Sequence, residues 1–281
     1  MRIAVTGASG LLGHHVISSL ESKGVAPSDI VAIVRNEEKA ADLAARGINL
    51  GVASYEDQQA LVTALEGVDR LVLISGSEVG QRVAQHTNII NAAKAAGVSL
   101  IAYTSLLNVE TSKLGLAPEH VATEKLLADS GIDHALLRNG WYWENYASAI
   151  ESGKAAGKFF GSAGEGLVSG AARKDYAEAA ATVITSEGQA GKVYELAGAP
   201  AVSYPGIAAA VAEVIGSPVE YVDLPVEEYQ KVLEEAGLPA EVAAMFAGMD
   251  PLIAEGALYS ESTDLQDLIG RPSTSVAEAL A

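Results

Sequence analysis

The sequence predicts an α/β fold built on a doubly wound parallel sheet, with a smaller α/β portion toward the carboxyl end. Two observations predict it. Short apolar runs alternate with stretches of helical period from Ile3 to about Tyr146, joined by short connections, the pattern of βαβ units covered on both faces of a sheet. The first run, Ile3 to Val5, stops at a turn in which Gly7, Gly10 and Gly13 stand three residues apart before a helix begins.

That strand, turn and helix organise the rest. Glycines there let the chain turn tightly, let a pyrophosphate approach the main chain without meeting a Cβ, and let the helix pack close to the strand. The start of the helix Leu11 to Lys23 offers unpaired N–H groups and partial positive charge to phosphates. The arrangement is that of a Rossmann dinucleotide site. Ile30 to Val34 is the second strand, and Arg35 with Asn36 follows it directly. An acidic residue at this place holds the ribose hydroxyls of NAD, whereas an arginine suits the 2′-phosphate of NADP; the choice predicted is NADPH, with NADH as the second carrier.

Glu37 to Arg46 reads as a helix, Ile48 to Ala53 as the third strand and Asp57 to Glu66 as a helix. Asp69 to Ile74 is the fourth strand, and it delivers Ser75, Gly76 and Ser77 to the sheet edge where such folds bind ligands. Val79 to Ala96 is predicted as a long helix closed by Gly97, and Val98 to Thr104 as the fifth strand, carrying Tyr103 to the same edge. Leu106 to Ala117 is a loop long enough to flap over a site. A helix from Pro118 to Gly131 and a strand from Asp133 to Leu137 follow.

The segment Arg138 to Tyr146, RNGWYWENY, is the densest aromatic cluster of the chain and should wall a pocket able to stack on a flat ring. Residues 1–146 are therefore assigned to the nucleotide-binding core and 147–281 to a mixed region. Within the latter, about 171–198 completes the sheet through a helix Arg173 to Thr185, with Asp175 placed to cap it, and a strand Lys192 to Ala197. Ala147 to Lys158 reads as a helix and the glycine-rich Phe159 to Gly170 as carrying a short strand, and past Ala197 the chain reads as helices around one strand, Val219 to Asp223, covering the substrate.

Composition narrows the partners. With 36 acidic and 18 basic residues among 281, the net charge of −18 opposes nucleic acid and anionic membranes. The chain has no cysteine, which removes disulfides, thiolate nucleophiles and thiolate metal sites, and its five histidines lack ligand spacing, so no metal is expected. No apolar run approaches the roughly 18 residues of a membrane span. A cytoplasmic location follows, with a small-molecule substrate and room for a homo-oligomer.

A reductase of this architecture usually takes its proton from a Tyr followed four residues later by Lys. Lys125 is in the right helix, but Val121 stands where the Tyr belongs, and His120 is turned about 100° away from that position. An acceptor that becomes a weak base removes the need for a strong donor. An aliphatic alkoxide is about as basic as hydroxide, near 16 on the pKa scale, whereas a quinone yields a phenolate near 10. That gap corresponds to about 8 kcal/mol at full charge transfer. Tyr103, Asn139 or Tyr142, or water, would then suffice, with placement of the ring providing most of the rate.

The stretches TGASGLLGHHVI, IVAIVRNEEKA, LVLISGSEVGQRVAQHTNIINAAKAAGV, LIAYTSLLN, HVATEKLLADSGI and LLRNGWYWENY resemble the type 2 NAD(P)H:quinone oxidoreductases, atypical short-chain dehydrogenases of the NmrA group. The likeness weakens after about Gly198, and SEVGQR and RNGWYWENY are its most specific parts. It implies that the nucleotide is held by Gly7, Ala8, Ser9, Gly10, Leu11, Leu12 and Gly13, by Arg35, by Ser75, Gly76 and Ser77, and by Asn139, Gly140, Trp141, Tyr142, Trp143 and Glu144, with Arg173 in support. It also implies hydride transfer to a quinone without flavin. Relatives often carry Asp where this chain has Ser54, which bears on the adenine contact. Triphenylmethane dye reductase shares the framework, so dyes are an alternative acceptor. A non-catalytic NADP-binding redox sensor is the other reading; an epimerase or aliphatic ketone reductase is disfavoured by the absent Tyr and Lys pair.

Overall fold

The computed structural model describes residues 1–281. β1 (Ile3–Val5) runs into α1 (Leu11–Ser22), and the alternation continues through β2 (Ile30–Val34), α2 (Ala41–Ala45), β3 (Asn49–Val52), α3 (Gln58–Ala64), β4 (Arg70–Leu73), α4 (Arg82–Ala96), β5 (Leu100–Leu106), α5 (Ala117–Ser130) and β6 (Asp133–Asn139). Next come α6 (Ser148–Ala156), β7 (Lys158–Gly161), β8 (Leu167–Val168), α7 (Arg173–Thr185) and β9 (Val193–Leu196). The chain finishes with β10 (Val202–Ser203), α8 (Tyr204–Ile215), β11 (Glu220–Asp223), α9 (Val226–Glu235), α10 (Ala240–Ala254), α11 (Asp264–Ile269) and α12 (Val276–Leu280).

Seven strands form one parallel sheet in the order β3-β2-β1-β4-β5-β6-β9. The chain leaves β1 in one direction and returns from β3 to β4 on its other side, which opens a crevice at the carboxyl ends of β1 and β4. The strands are apolar without alternation because both faces are covered: every residue of β2 and β5 is buried. On one face α1, α7 and α11 enclose a core cluster of 29 buried residues; on the other α3, α4 and α5 enclose one of 19. No helix is long and apolar enough to cross a membrane.

A third cluster of 17 buried residues, among them Trp143, Tyr146, Phe159 and Tyr204, forms the core of the carboxyl-terminal portion. Its small sheets are β7 beside β11 and β8 beside β10. The chain thus adds a strand at Val202–Ser203 to the one expected near Val219, a piece too short to leave a period in the sequence. The Asp175 carboxylate accepts the Ala172 N–H at the start of α7 (3.3 Å) and, from nearly a hundred residues on, the Thr274 N–H (2.8 Å), the Thr274 hydroxyl (2.9 Å) and the Arg271 guanidinium (2.8 Å). At the seam between the portions, a Cβ on Gly198 would fall 1.7 Å from the Gly170 carbonyl oxygen, so two main chains touch there.

Three local departures bear on the site. α4 starts at Arg82 rather than Val79, because residues 78–81 belong to a loop in which Gly80 is left-handed (φ 85°) and donates its N–H to Glu119 Oε1 (3.0 Å). The helix expected over Glu37 to Arg46 splits into a 3-10 turn, Glu38–Ala40, and α2. β5 and β6 each run two residues beyond their expected ends, pairing Thr104, Ser105 and Leu106 with Leu137, Arg138 and Asn139.

Candidate active site

A cleft of about 810 Å³ lies at the crevice, walled by the turn after β1, the end of β2, Ala53 and Tyr55 after β3, and the loop after β4. The turn is built for close main-chain approach. Gly7 is left-handed (φ 57°), and a Cβ on Gly13 would fall 2.3 Å from the Gly7 carbonyl oxygen, so only glycine lets α1 start against the turn. Gly10 caps α1 without a side-chain hydrogen bond and no acidic residue stands in the first turn, which leaves first-turn N–H groups directed at the cleft.

The opposite wall, Ser75 to Ser77, is held by buried side chains from α4 and α5. His86 Nε2 accepts the Gly76 N–H (3.1 Å) and Arg82 Nε donates to the Gly76 carbonyl (2.8 Å). Since Nε2 accepts, the imidazole proton sits on Nδ1, where it donates to Thr123 Oγ1 (2.9 Å), whose own proton goes to the Glu119 carbonyl (2.9 Å). Burial, helped by the Arg82 charge, lowers the His86 pKa to about 3, in keeping with a neutral ring. Arg82 also pairs with Glu119 (2.6 Å), both largely buried, and Ser75 N–H donates to Thr104 Oγ1 (2.9 Å).

Arg35 lines the cleft with Asn36 and Lys39. Its Nη1 donates to Glu78 Oε1 (2.6 Å), and Glu78 Oε2 accepts from Gln85 Nε2 (2.8 Å). The cleft therefore gathers Gly7, Ser9, Gly10, Leu11, Leu12, Gly13, Arg35, Ser75, Gly76 and Ser77 as expected, and adds Lys39, Tyr55, Glu78 and Gln85, which sequence reasoning missed. Only Gln85 and Glu78 left a trace, inside the family-specific stretch around SEVGQR. Ser54 bonds Glu56 in a tight local turn. Ala8 departs from expectation: its methyl is fully buried in the core beneath the turn.

A second group sits past the end of β6. Asn139 is 4% exposed, its Nδ2 lies 3.3 Å from the Tyr142 hydroxyl, and its Oδ1 is buried without a hydrogen-bond partner in the protein. The Arg173 guanidinium stands 5.0 Å over the Tyr142 ring, and Glu144 accepts the Arg173 N–H (2.9 Å). Burial raises the Tyr142 pKa, opposed by Asn139 and Arg173. Beside it, Arg138 donates to Glu124 (2.7 and 3.0 Å), Glu195 (2.9 Å) and Glu110 (2.8 Å), tying β6, α5, β9 and the loop before α5 into one frame.

Three expected site residues are packed against protein and do not line the cleft. Tyr103 lies three residues inside β5, is fully buried among α4 and α5 side chains, and bonds His120 Nδ1 (2.8 Å), so its hydroxyl is enclosed by protein; burial drives its pKa up. Trp143 is 2% exposed, its indole N–H donates to the Thr274 carbonyl (3.1 Å), and it belongs to the carboxyl-terminal core, whose surface Trp141 also packs against. Gly140 is a packing glycine: a Cβ there would meet the Ser169 carbonyl and the Tyr176 hydroxyl, each at 2.9 Å. Lys125 is exposed and pairs with Asp129 (2.7 Å).

The model of the NmrA-like family matches residues 1–276. The chain belongs to the NmrA-like family. Among its members this one is 52% identical over 279 residues to quinone oxidoreductase 2 of Escherichia coli strain K12, covering 99% of this chain and 97% of that protein. The crystal structure of the NADPH-dependent quinone oxidoreductase QOR2 of Escherichia coli complexed with NADPH superposes with a TM-score of 0.94 over 99% of this chain and 98% of that one. The Citrobacter sp. triphenylmethane reductase complexed with NADP(H) gives 0.94 at 37% identity, over 99% and 98% of the two chains. Both superpositions take in the parallel sheet and the helices that flank it, since each extends over 99% of this chain.

Proposed function

We propose that the protein is an NADPH-dependent oxidoreductase that reduces quinones, passing hydride directly to a planar acceptor with no flavin between. The observation that carries the reading is the cleft itself. Its glycine cradle, the uncapped start of α1, the arginine at the end of β2 and the small-residue wall after β4 suit a dinucleotide with a phosphate on its ribose. Full-length similarity to an Escherichia coli quinone oxidoreductase supports the acceptor class. Bound there, NADPH would supply the hydride.

The chain's own residues bind and orient. Gly7 to Gly13 would take the pyrophosphate, Arg35 the 2′-phosphate, and Ser75 to Ser77 the far half of the nucleotide. The unpartnered Asn139 Oδ1 is a buried acceptor suited to an amide N–H. Tyr142 keeps its proton at neutral pH and stands between Asn139 and Arg173, which suits it to hydrogen-bond an acceptor oxygen as charge develops. Reduction of a quinone needs no stronger acid than this.

The test is to mix the purified protein with NADPH and a simple benzoquinone and to follow loss of the reduced nicotinamide against a control without protein. Turnover is expected. Burial of Tyr103 and the pairing of Lys125 with Asp129 leave no Tyr and Lys donor pair, which favours the redox sensor as the second reading; NADPH binding without turnover on quinones or triphenylmethane dyes would establish it.

A further inference from the structure

We propose that Glu78 sets the balance between the two nicotinamide carriers, by engaging Arg35 in competition with the ribose phosphate that distinguishes them. This rests on the reading of Arg35 as the 2′-phosphate ligand. The end of β2 carries no carboxylate in the sequence, yet the fold supplies one from the loop after β4, more than forty residues on. Glu78 bridges Arg35 Nη1 (2.6 Å) and Gln85 Nε2 (2.8 Å), and the same Gln85 nitrogen donates to Glu56 Oε1 (3.0 Å). Gln85 is 4% exposed, so a buried amide fixes the carboxylate beside the guanidinium. The hydrogen bonds from Gln85 and Arg35 also hold the Glu78 pKa below the usual carboxylate value, which keeps it charged at neutral pH.

A phosphate approaching Arg35 therefore meets a guanidinium that already has an anionic partner, with a second carboxylate, Glu56, in the same network. A ribose hydroxyl makes no demand on Arg35 and finds in Glu78 the acidic acceptor that sites for NAD use. Glu78 thus opposes NADPH and is neutral or favourable to NADH. The size of the effect follows from the exposure of the pair, 67% for Arg35 and 44% for Glu78: such pairs shift an equilibrium by up to about fivefold.

Binding of NADPH and of NADH, read by nicotinamide fluorescence, tests this in the full-length protein, Glu78→Gln, Arg35→Ala and the double variant. Glu78→Gln is expected to tighten NADPH about two- to fivefold and to leave NADH unchanged within about 1.5-fold; in the Arg35→Ala background the same change should give no tightening. Unchanged or weaker NADPH binding by Glu78→Gln, or equal tightening of both carriers, overturns the proposal. If Arg35→Ala costs NADPH selectively while Glu78→Gln does nothing, Glu78 alone is wrong. If Arg35→Ala weakens both carriers alike, the phosphate reading fails and the proposal falls with it.

Discussion

Along the carboxyl edge of the sheet, the cleft from Gly7 to Ser77 is walled by main chain and small side chains, whereas the edge past β6 is walled by aromatic and charged side chains drawn from distant segments. The first depends on glycines close in sequence and on strand ends. The second depends on Arg138 meeting Glu195, on Trp143 meeting Thr274 and on Asp175 meeting Thr274. On the proposed reading, the nucleotide's phosphates would be met by backbone N–H groups, and the acceptor, which varies, by side chains whose framing spans the whole chain. Damage to one region should therefore read out differently from damage to the other.

The largest expected effect breaks the acceptor side. Asp175→Ala orphans the Thr274 and Ala172 N–H groups and removes one of the two carboxylates that pair with Arg271, leaving Glu178, and should cost about 3–5 kcal/mol of stability in urea unfolding. Where the variant remains folded, quinone turnover should fall by an order of magnitude or more while NADPH binding changes by about threefold at most. Equal loss of both would join the two regions into one.

Acid is the next probe, because both buried histidines lie on the α4 and α5 side that supports the nucleotide wall. His86 and His120 are each lowered to about 3, chiefly by burial, from an ordinary 6.5. Their contribution is fully present above pH 6.5 and is lost as pH falls from there toward 3, since the unfolded chain takes up protons that the folded one refuses. The loss approaches about 1.4 kcal/mol per pH unit for each ring. Unfolding free energy measured between pH 7.5 and 5 should fall accordingly, and His86→Gln, whose amide oxygen can still accept the Gly76 N–H, should flatten the slope.

On the nucleotide side, Arg35→Ala should weaken NADPH about ten- to a hundredfold, the value of charge-assisted hydrogen bonds, and NADH by less than about threefold. Smallest of all, Tyr103→Phe removes a single buried bond to His120 and should cost about 1 kcal/mol of stability in a thermal melt, with turnover unchanged. A large loss of turnover would return Tyr103 to the chemistry.

The same division decides what was legible in the sequence. The glycine turn, Arg35 and Ser75 to Ser77 were readable because each is fixed by its place relative to a strand end, and the parallel, doubly wound character of the sheet followed from alternation. Tyr103 was misplaced because β5 continues to Leu106: a residue taken for the strand's tip is interior, on the face covered by α4 and α5. The burial of Trp143 was not legible because the partner of its indole, Thr274, lies 131 residues away. Glu78 stood just before an expected helix starting at Val79, since nothing local reveals that Gly80 turns left-handed and that Glu119 holds it.

The contact between Gly170 and Gly198 limits how this scaffold can be re-engineered. With 1.7 Å between a Cβ at position 198 and the opposing carbonyl, no side chain is admissible there without parting the two loops that join α7 and β9 to the acceptor wall. Attempts to graft a wall for bulkier dyes should therefore vary side chains such as Trp141 or Tyr142 and leave that glycine seam as a fixed hinge-pin of the design.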